Sequence, residues 1–195
     1  MTKLIRPTLV MLALLTLVTG VAYPLVVTAI GQTVMADQAN GSLIIRDGKP
    51  IGSSLIGQSF ASTKYFWSRP SATSPMANNA SASSGSNLGP TNPALKDAVA
   101  GRIEALQKAD PTNKQVVPID LVTTSASGLD PDISEAAARY QTNRIAAARN
   151  LTNAQVSAVV DAHRQGALFG FLGEPRVNVL RVNLALDALA APAKQ

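Results

Sequence analysis

Residues 7–30 read PTLVMLALLTLVTGVAYPLVVTAI, and this stretch decides how the chain is organised. As an α-helix its 24 residues would be about 36 Å long, enough to cross a hydrocarbon core of roughly 30 Å with some tilt. Its twelve Leu, Ile and Val residues favour insertion by about 4 to 7 kcal/mol, and no charged residue opposes them. We therefore predict a retained transmembrane helix at residues 7–30.

A cleaved secretory signal is the alternative interpretation of the same stretch. Lys3 and Arg6 resemble the basic start of such a signal. The apolar part of a signal peptide ends after about 7 to 15 residues, however, whereas this one continues past Gly20 to Val27. The length therefore favours an anchor that stays in the membrane.

The charges on either side of the helix predict its orientation. Lys3, Arg6 and the α-amino group precede it, and the first basic residue after it is Arg46. Because basic flanks remain in the cytoplasm, we expect residues 1–6 there and the chain beyond the helix on the exoplasmic side. Tyr23 and Pro24 suit an interfacial anchor and a kink.

Small residues mark one side of this helix. Ala13, Thr16 and Gly20 follow the spacing i, i+3, i+7, so they share one stripe. Such a stripe allows a neighbouring helix to approach closely, although small residues are common in any membrane span. We predict that these three residues pack against a partner helix.

Composition excludes several kinds of site. The 195 residues carry a net charge of +5, only 15% are charged, and none is cysteine. Disulfide frameworks, thiolate zinc sites and cysteine nucleophiles are therefore excluded. With His163 as the single histidine we predict no metal site, and the scattered basic residues predict no nucleic-acid partner.

The strand and helix signals in the rest of the chain predict the fold class α+β. We expect the transmembrane helix to be followed by a small mixed α/β exoplasmic domain. Residues 31–41 form the predicted linker and residues 42–195 the domain. A hairpin is expected at 42–52, closed by Asp47-Gly48, and another short strand near Tyr65–Trp67. The uncharged polar stretch at about 69–92 is predicted to be a long loop and a contact surface.

Capping residues predict four helices in the later part of the domain. The β-branched residues between Val116 and Thr123 predict a strand. The predicted helices run from Asn92-Pro93 to about Lys108, from Asp130-Pro131 to about Arg149, from Thr152 to about Gln165, and from Asn178 into the Ala-rich tail.

Enzymatic functions have little support in the sequence. The motifs of phosphate-binding loops, dinucleotide-binding folds and zinc proteases are absent. An exoplasmic serine hydrolase that uses His163 as its base is the alternative function, but no G-x-S-x-G motif accompanies it. A pilin-like subunit would need a glutamate near the start of its helix, and residues 1–30 contain none.

Two polar residues interrupt the apolar side of the second predicted helix. At 100° per residue Gln141 and Arg144 fall in the same sector as Ile133, Ala137 and Tyr140. A buried guanidinium needs a carboxylate or several carbonyl groups. We predict a structural ion pair of Arg144 with Asp120 or Glu174, and the alternative is a recognition site for a partner.

Four ordered stretches resemble a known family. The resemblance covers nearly the whole chain, including the N-terminal helix, and the ordered set is specific although Gly-Pro-Thr-Asn alone is weak. The stretches are Gly41–Ile44 with Ile56–Phe60, Tyr65–Ala72 with Gly85–Asn92, Pro118–Ser134, and Leu172–Leu180. The family that they resemble is the C subunit, KdpC, of the Kdp potassium-transporting P-type ATPases.

This resemblance implies a non-catalytic subunit of a bacterial inner-membrane complex that takes up potassium with high affinity. Its implied partners are a channel-like potassium-binding subunit and an ATP-hydrolysing subunit, beside the lipid bilayer. The family is described as a catalytic chaperone that raises the ATP affinity of the hydrolysing subunit. The resemblance implies no tightly bound cofactor. It implies ATP as a ligand only through this description of the family.

Gln141 matches the glutamine that the family's nucleotide proposal invokes. The predicted orientation places Gln141 outside the cytoplasm, so direct contact with ATP would need the opposite orientation, and an allosteric effect would not. Ser84 departs from the glycine common before Gly85-Ser86-Asn87.

For contact with the partners we predict a set of five residues. They are Arg69, Asn87, Gly89, Asn92 and Arg176, whose alternative role is in turns and caps.

Overall fold

The computed structural model describes residues 2–190. The chain divides into two compact units, one up to Ile51 and one from Gly52 onward. An apolar N-terminal helix in the first unit and a mixed α/β domain in the second confirm the predicted fold class.

The first unit begins with one long helix in three parts: α1 (Thr2–Leu17), a π-helical turn (Val18–Ala22) and α2 (Tyr23–Val34). From Lys3 to Val34 it has 32 residues, and its most apolar window of 18 residues has a mean hydropathy of 2.3 and no buried residue. It is long and apolar enough to cross a membrane, and it extends beyond the predicted 7–30 at both ends. Where it would enter and leave the membrane stays a prediction.

Pro24 explains the π-helical turn. A proline in a helix cannot donate a hydrogen bond, and its ring collides with the carbonyl four residues earlier, here that of Gly20. The helix widens in the turn before it, where the Tyr23 N–H donates to the Val18 carbonyl. A wider turn relieves the crowding without ending the helix.

A short helix and a hairpin follow. Helix α3 spans Ala36–Ala39, and strands β1 (Leu43–Arg46) and β2 (Lys49–Ser53) pair with each other. Asp47 and Gly48 have φ values of 50° and 73°, which a type I′ turn requires. The predicted hairpin is therefore confirmed.

The second unit packs helices around a small antiparallel sheet in the order β3-β5-β4. Ile133 on β3 and Arg164 on β4 both pair with Val177 on β5. The elements are α4 (Pro93–Ala109), β3 (Asp132–Ser134), α5 (Glu135–Arg149), α6 (Asn153–His163), β4 (Arg164–Gln165), β5 (Arg176–Asn178) and α7 (Val179–Ala190), with 3-10 turns at Ala80–Ala82 and Ile119–Leu121.

The core lies between α5, α6, α7 and the central strand. Its largest fully buried side chain is Phe66, which enters from the loop before α4. Apart from Tyr140, aliphatic residues supply the rest, because the domain has few aromatic residues. The main contributors are Ile133, Ile145, Val156, Val160, Val177, Val182 and Leu186.

Three of the four predicted helix starts are confirmed, because local capping chemistry fixes them. The Asn92 Oδ1 accepts from the Ala94 N–H at 2.9 Å. Thr152 and Gln155 form a capping box, and the Asn178 Oδ1 accepts from the Arg181 N–H at 3.1 Å. The fourth start is wrong, since the helix predicted from Asp130-Pro131 begins at Glu135 after strand β3.

The strand predicted at 116–123 is also wrong. Pro118 cannot donate to a neighbouring strand, and the Ile119 carbonyl instead accepts from the N–H groups of Val122 and Thr123. Val116 is 92% exposed, so its β-branched side chain faces no sheet. Similarly, Tyr65–Trp67 has no strand partner and is bonded by side chains described below.

Candidate functional site

The polar loop at 69–92 is held by hydroxyl groups. The Ser71 Oγ donates to the Gly128 carbonyl at 2.7 Å and accepts from the Asn78 N–H at 2.9 Å. The neighbouring Thr73 Oγ1 accepts from the Asn79 N–H at 3.0 Å. The loop is thereby fastened to residues 124–129 and presents a defined surface.

Ser84 fits the loop despite its departure from the family pattern. Its backbone N–H donates to the Ser127 carbonyl at 3.0 Å, and its φ is not positive. The close approach is instead at Gly128, which has φ +68°, and where a Cβ would lie 2.5 Å from the Ser84 carbonyl oxygen. Glycine is therefore required at 128 and not at 84.

Arg69 joins the start of this loop to the segment before β3. Its Nη1 lies 3.0 Å from the Asp130 Oδ2, and its Nη2 donates to the Thr124 carbonyl at 3.3 Å. Its Nε is buried and has no hydrogen-bond partner among the described residues. Two of the guanidinium nitrogens are thus paired within the domain, and the third is enclosed by it.

Arg176, on strand β5, lines one cleft together with Arg69. Its Nε is 2.9 Å from the Asp132 Oδ2, and the arginine side chain is half-exposed. Burial raises the pKa of the Asp132 carboxyl, while a hydrogen bond from Asn178 and the charge of Arg176 oppose that shift. The cleft has a volume of about 260 Å³ and includes Arg69, Arg176 and Asp120 in its lining. The structure therefore brings two of the five predicted contact residues together.

The other three predicted contact residues are not in the lining of this cleft. Asn92 caps α4 and Asn87 has a left-handed backbone with φ +53°. The Gly89 carbonyl accepts from the Asn92 N–H at 3.0 Å, so these residues build the turn that starts the helix. Their part in partner contact stays a prediction.

Gln141 is a buried residue whose hydrogen bonds all lie within the chain. Its Oε1 accepts from the Trp67 N–H at 2.7 Å and from the Arg144 Nη2 at 2.5 Å. Its Nε2 donates to the carbonyls of Trp67 at 3.1 Å and Ala137 at 3.2 Å. Gln141 is 1% exposed, and its two donors and two acceptor sites are all used within the chain. Its relation to a nucleotide stays a prediction.

The predicted ion pair of Arg144 is wrong. Its Nη1 donates to the Thr63 carbonyl at 2.8 Å, its Nη2 to Gln141, and its guanidinium lies 4.3 Å from the centre of the Trp67 ring. Asp120, the expected partner, accepts instead from the N–H and hydroxyl of Ser134 at the start of α5. Burial lowers the pKa of Arg144 to about 10, so it remains charged at neutral pH.

A second amide, which sequence reasoning missed, holds the adjacent residue. The Phe66 N–H donates to the Asn183 Oδ1 at 2.8 Å, and the Asn183 Nδ2 donates to the Phe66 carbonyl at 3.0 Å. Gln141 and Asn183 therefore bond the backbone of Phe66 and Trp67 from two helices. A lone asparagine within the apolar stripe of α7 is the sequence signal that could have revealed it.

The alternative of a serine hydrolase gains no support from His163. Its Nδ1 lies 2.9 Å from the Val159 carbonyl, one helical turn earlier on α6. Within residues 2–190 no hydrogen bond joins His163 to a serine hydroxyl. Nor do these residues hold a group of three or more His, Cys, Asp or Glu suited to a metal ion.

The stripe of small residues in the first unit is retained locally. A Cβ on Gly20 would lie 3.8 Å from the Thr16 Cγ2, so these two positions remain neighbours through the π-helical turn. Whether Ala13, Thr16 and Gly20 face a partner helix stays a prediction.

Comparison with known proteins identifies the family. The model of the family described as KdpC, K+-transporting ATPase, c chain, matches residues 5–188. The potassium-transporting ATPase KdpC subunit of Methylibium petroleiphilum is 62% identical over 187 residues, which are 96% of this chain and 98% of that protein. The subunit of the same name from Variovorax paradoxus is 61% identical over 98% of this chain and 99% of its own length. The KdpC subunit of Dechloromonas aromatica is 59% identical over 97% of this chain and 100% of its own length. The chain therefore belongs to the KdpC family of K+-transporting ATPase subunits.

Proposed function

We propose that this chain is the accessory C subunit of an ATP-driven, high-affinity potassium uptake complex in a bacterial inner membrane. The observation that carries the proposal is the near-complete coverage of both this chain and its KdpC relatives at about 60% identity. Its partners are then a channel-like potassium-binding subunit and an ATP-hydrolysing subunit. The chain assembles or stabilises that complex and contributes no catalytic residue of its own.

The proposed topology has the N-terminus in the cytoplasm and the α/β domain in the periplasm. It is supported by Lys3 and Arg6 before the apolar helix and by the lack of a basic residue between that helix and Arg46. Cysteine substitutions test it, because the chain has no cysteine of its own. A membrane-impermeant maleimide added to intact cells should label Val116→Cys and leave Thr2→Cys unlabelled. The reverse pattern would contradict this orientation.

We propose further that any effect on ATP affinity is indirect. One observation supports this: Gln141 makes four hydrogen bonds within the chain. The proposed topology agrees with it, because that topology would separate Gln141 from cytoplasmic ATP. An exoplasmic domain can still change ATP affinity by binding one conformation of its partners more tightly than another. The cleft around Arg69 and Arg176 is a suitable contact, because both guanidinium groups are partly exposed.

Copurification with ATPase measurement tests the function. The tagged chain, extracted in mild detergent, should bring down an ATP-hydrolysing subunit whose activity is stimulated by potassium. The stimulation should be lost when this chain is omitted and should be weakened by Arg176→Gln, with Lys114→Gln as an exposed control of equal charge change. Recovery of the tagged chain as a lone monomer from cells that express the ATPase would contradict the proposal.

A further inference from the structure

Residues 166–173, which read GALFGFLG, form a narrow hairpin between β4 and β5. We call them the apolar hairpin. Leu168 and Leu172 exchange two backbone hydrogen bonds of 2.8 and 2.9 Å. Phe169 and Gly170 have φ values of +55° and +81°, and the Phe171 N–H donates to the Leu168 carbonyl at 3.3 Å, as in a type I′ turn.

The apolar hairpin exposes its large side chains to the surroundings. Phe169 is 79% and Phe171 is 76% exposed, and Leu168 and Leu172 are at least half-exposed. Contiguous exposed apolar side chains mark a contact with another body. A type I′ turn itself favours Asn, Asp or Gly at the position of Phe169, so turn formation does not account for this residue.

The chemistry of the apolar hairpin suits hydrocarbon better than a protein surface. Between Gln165 and Glu174 no side chain is charged or can form a hydrogen bond, whereas protein interfaces usually include Tyr, Trp or Arg. Four N–H groups, those of Leu168, Gly170, Phe171 and Leu172, are bonded within the hairpin, which lowers the cost of an apolar surrounding.

The base of the apolar hairpin is polar and carries charges of both signs, with Glu174 directly after the hairpin. Gln165 and Arg176 are paired residues of β4 and β5, and Arg164 lies one position earlier. Both arginine side chains are partly exposed although they form ion pairs with Glu135 and Asp132. Arginines beside an apolar tip can contact anionic lipid headgroups while the tip enters the acyl region.

We propose that the apolar hairpin inserts into the surface of a lipid bilayer. This inference rests on the proposed membrane anchor, which keeps the hairpin near a bilayer at a high effective concentration. The insertion preferences of two Phe and two Leu multiply to roughly eight- to sixty-fold in favour of the inserted form. Each side chain contributes only about two- to three-fold, so the contact is weak and reversible and depends on the anchor.

Spin labels on single cysteines test this proposal. The full chain carrying Phe169→Cys is labelled and reconstituted into vesicles of phosphatidylethanolamine and phosphatidylglycerol. Collision with a water-soluble nickel complex should be roughly tenfold lower at 169 than at Val116→Cys, a control position that is 92% exposed. Phe171→Cys should give the same result, which guards against a local effect of one substitution.

A label at Leu14→Cys in α1 separates the inference from the proposed function. If the label at 14 is shielded from nickel while those at 169 and 171 are as accessible as that at 116, the hairpin does not insert and the inference is overturned. If the label at 14 is also accessible, the anchor itself fails. If 169 becomes shielded only after the other subunits are added, the hairpin binds protein, which also overturns the inference.

Discussion

The segment Tyr65–Trp67 and the apolar hairpin have opposite arrangements of backbone and side chains. In the first, the backbone of Phe66 and Trp67 is bonded by the amides of Gln141 and Asn183, and Phe66 is fully buried. In the second, the backbone bonds to itself and the side chains of Phe169 and Phe171 are exposed. The side chain of Phe66 therefore contributes to the core, whereas those of Phe169 and Phe171 do not.

Gln141→Ala should have the largest effect on stability. It leaves the Trp67 N–H and carbonyl and one Arg144 donor without partners, and we expect a loss of about 3 kcal/mol, or roughly 10 °C in Tm. Thermal unfolding of the full chain in detergent measures it, with Trp67, the single tryptophan, as a fluorescent reporter. Gln115→Ala, on an exposed glutamine, is the matched control and should change Tm little. An unchanged Tm with altered ATP affinity of the complex would favour a nucleotide role for Gln141 instead.

Asn183→Ala should have the next largest effect, about 2 kcal/mol, because the buried N–H and carbonyl of Phe66 lose their partners. Since Phe66 and Trp67 are adjacent, the double variant Gln141→Ala/Asn183→Ala should lose less than the two single losses combined. Additive losses would show that the two amides act on independent parts of the structure. The same unfolding measurement compares all three variants.

Phe169→Asn should stabilise the domain by about 0.5 to 1 kcal/mol, because asparagine tolerates the left-handed conformation better than phenylalanine. Phe171→Asn is the matched control, since Phe171 does not have a positive φ and its substitution should leave stability unchanged. A loss of stability in Phe169→Asn would mean that the hairpin's side chains support the fold after all.

Asp132→Asn should have the smallest effect, and it should depend on pH. Because burial raises the pKa of Asp132, the folded chain binds this proton more tightly than the unfolded chain. The carboxyl therefore lowers stability as pH rises from its ordinary pKa of 3.8 through the raised value. Relative to the unsubstituted chain, the variant should gain a few tenths of a kcal/mol between about pH 3 and about pH 7. Asp97→Asn, at an exposed aspartate, is the control. An equal pH-dependent gain in stability in that variant would show that the effect does not come from the burial of Asp132.

The sequence predicts those parts of the fold that local chemistry determines. The caps Asn92, Thr152 and Asn178 place three helices correctly because each cap bonds to its own first turn. The β-branched stretch at 116–123 misleads because such residues form a strand only where another strand accepts them. Strands β3 and β5 have three residues each, too few to show a period.

The candidate site shows the same division. Helical periodicity correctly places Gln141 and Arg144 on the buried side of α5. It does not say what faces them, because Thr63 and Trp67 come from a distant loop with no regular structure. The guanidinium of Arg144 therefore contacts the Trp67 ring and the Thr63 carbonyl, and neither of the two expected carboxylates.

The π-helical turn at Val18–Ala22 divides the N-terminal helix near its midpoint. One extra residue in a turn offsets the angular position of everything after it by about 100°. A straight neighbouring helix that follows Ala13 and Thr16 along α1 will consequently meet a different side of the rod along α2. A second helix therefore packs on one face along α1 and on another along α2. In the proposed membrane span, these two faces lie in different leaflets of the bilayer.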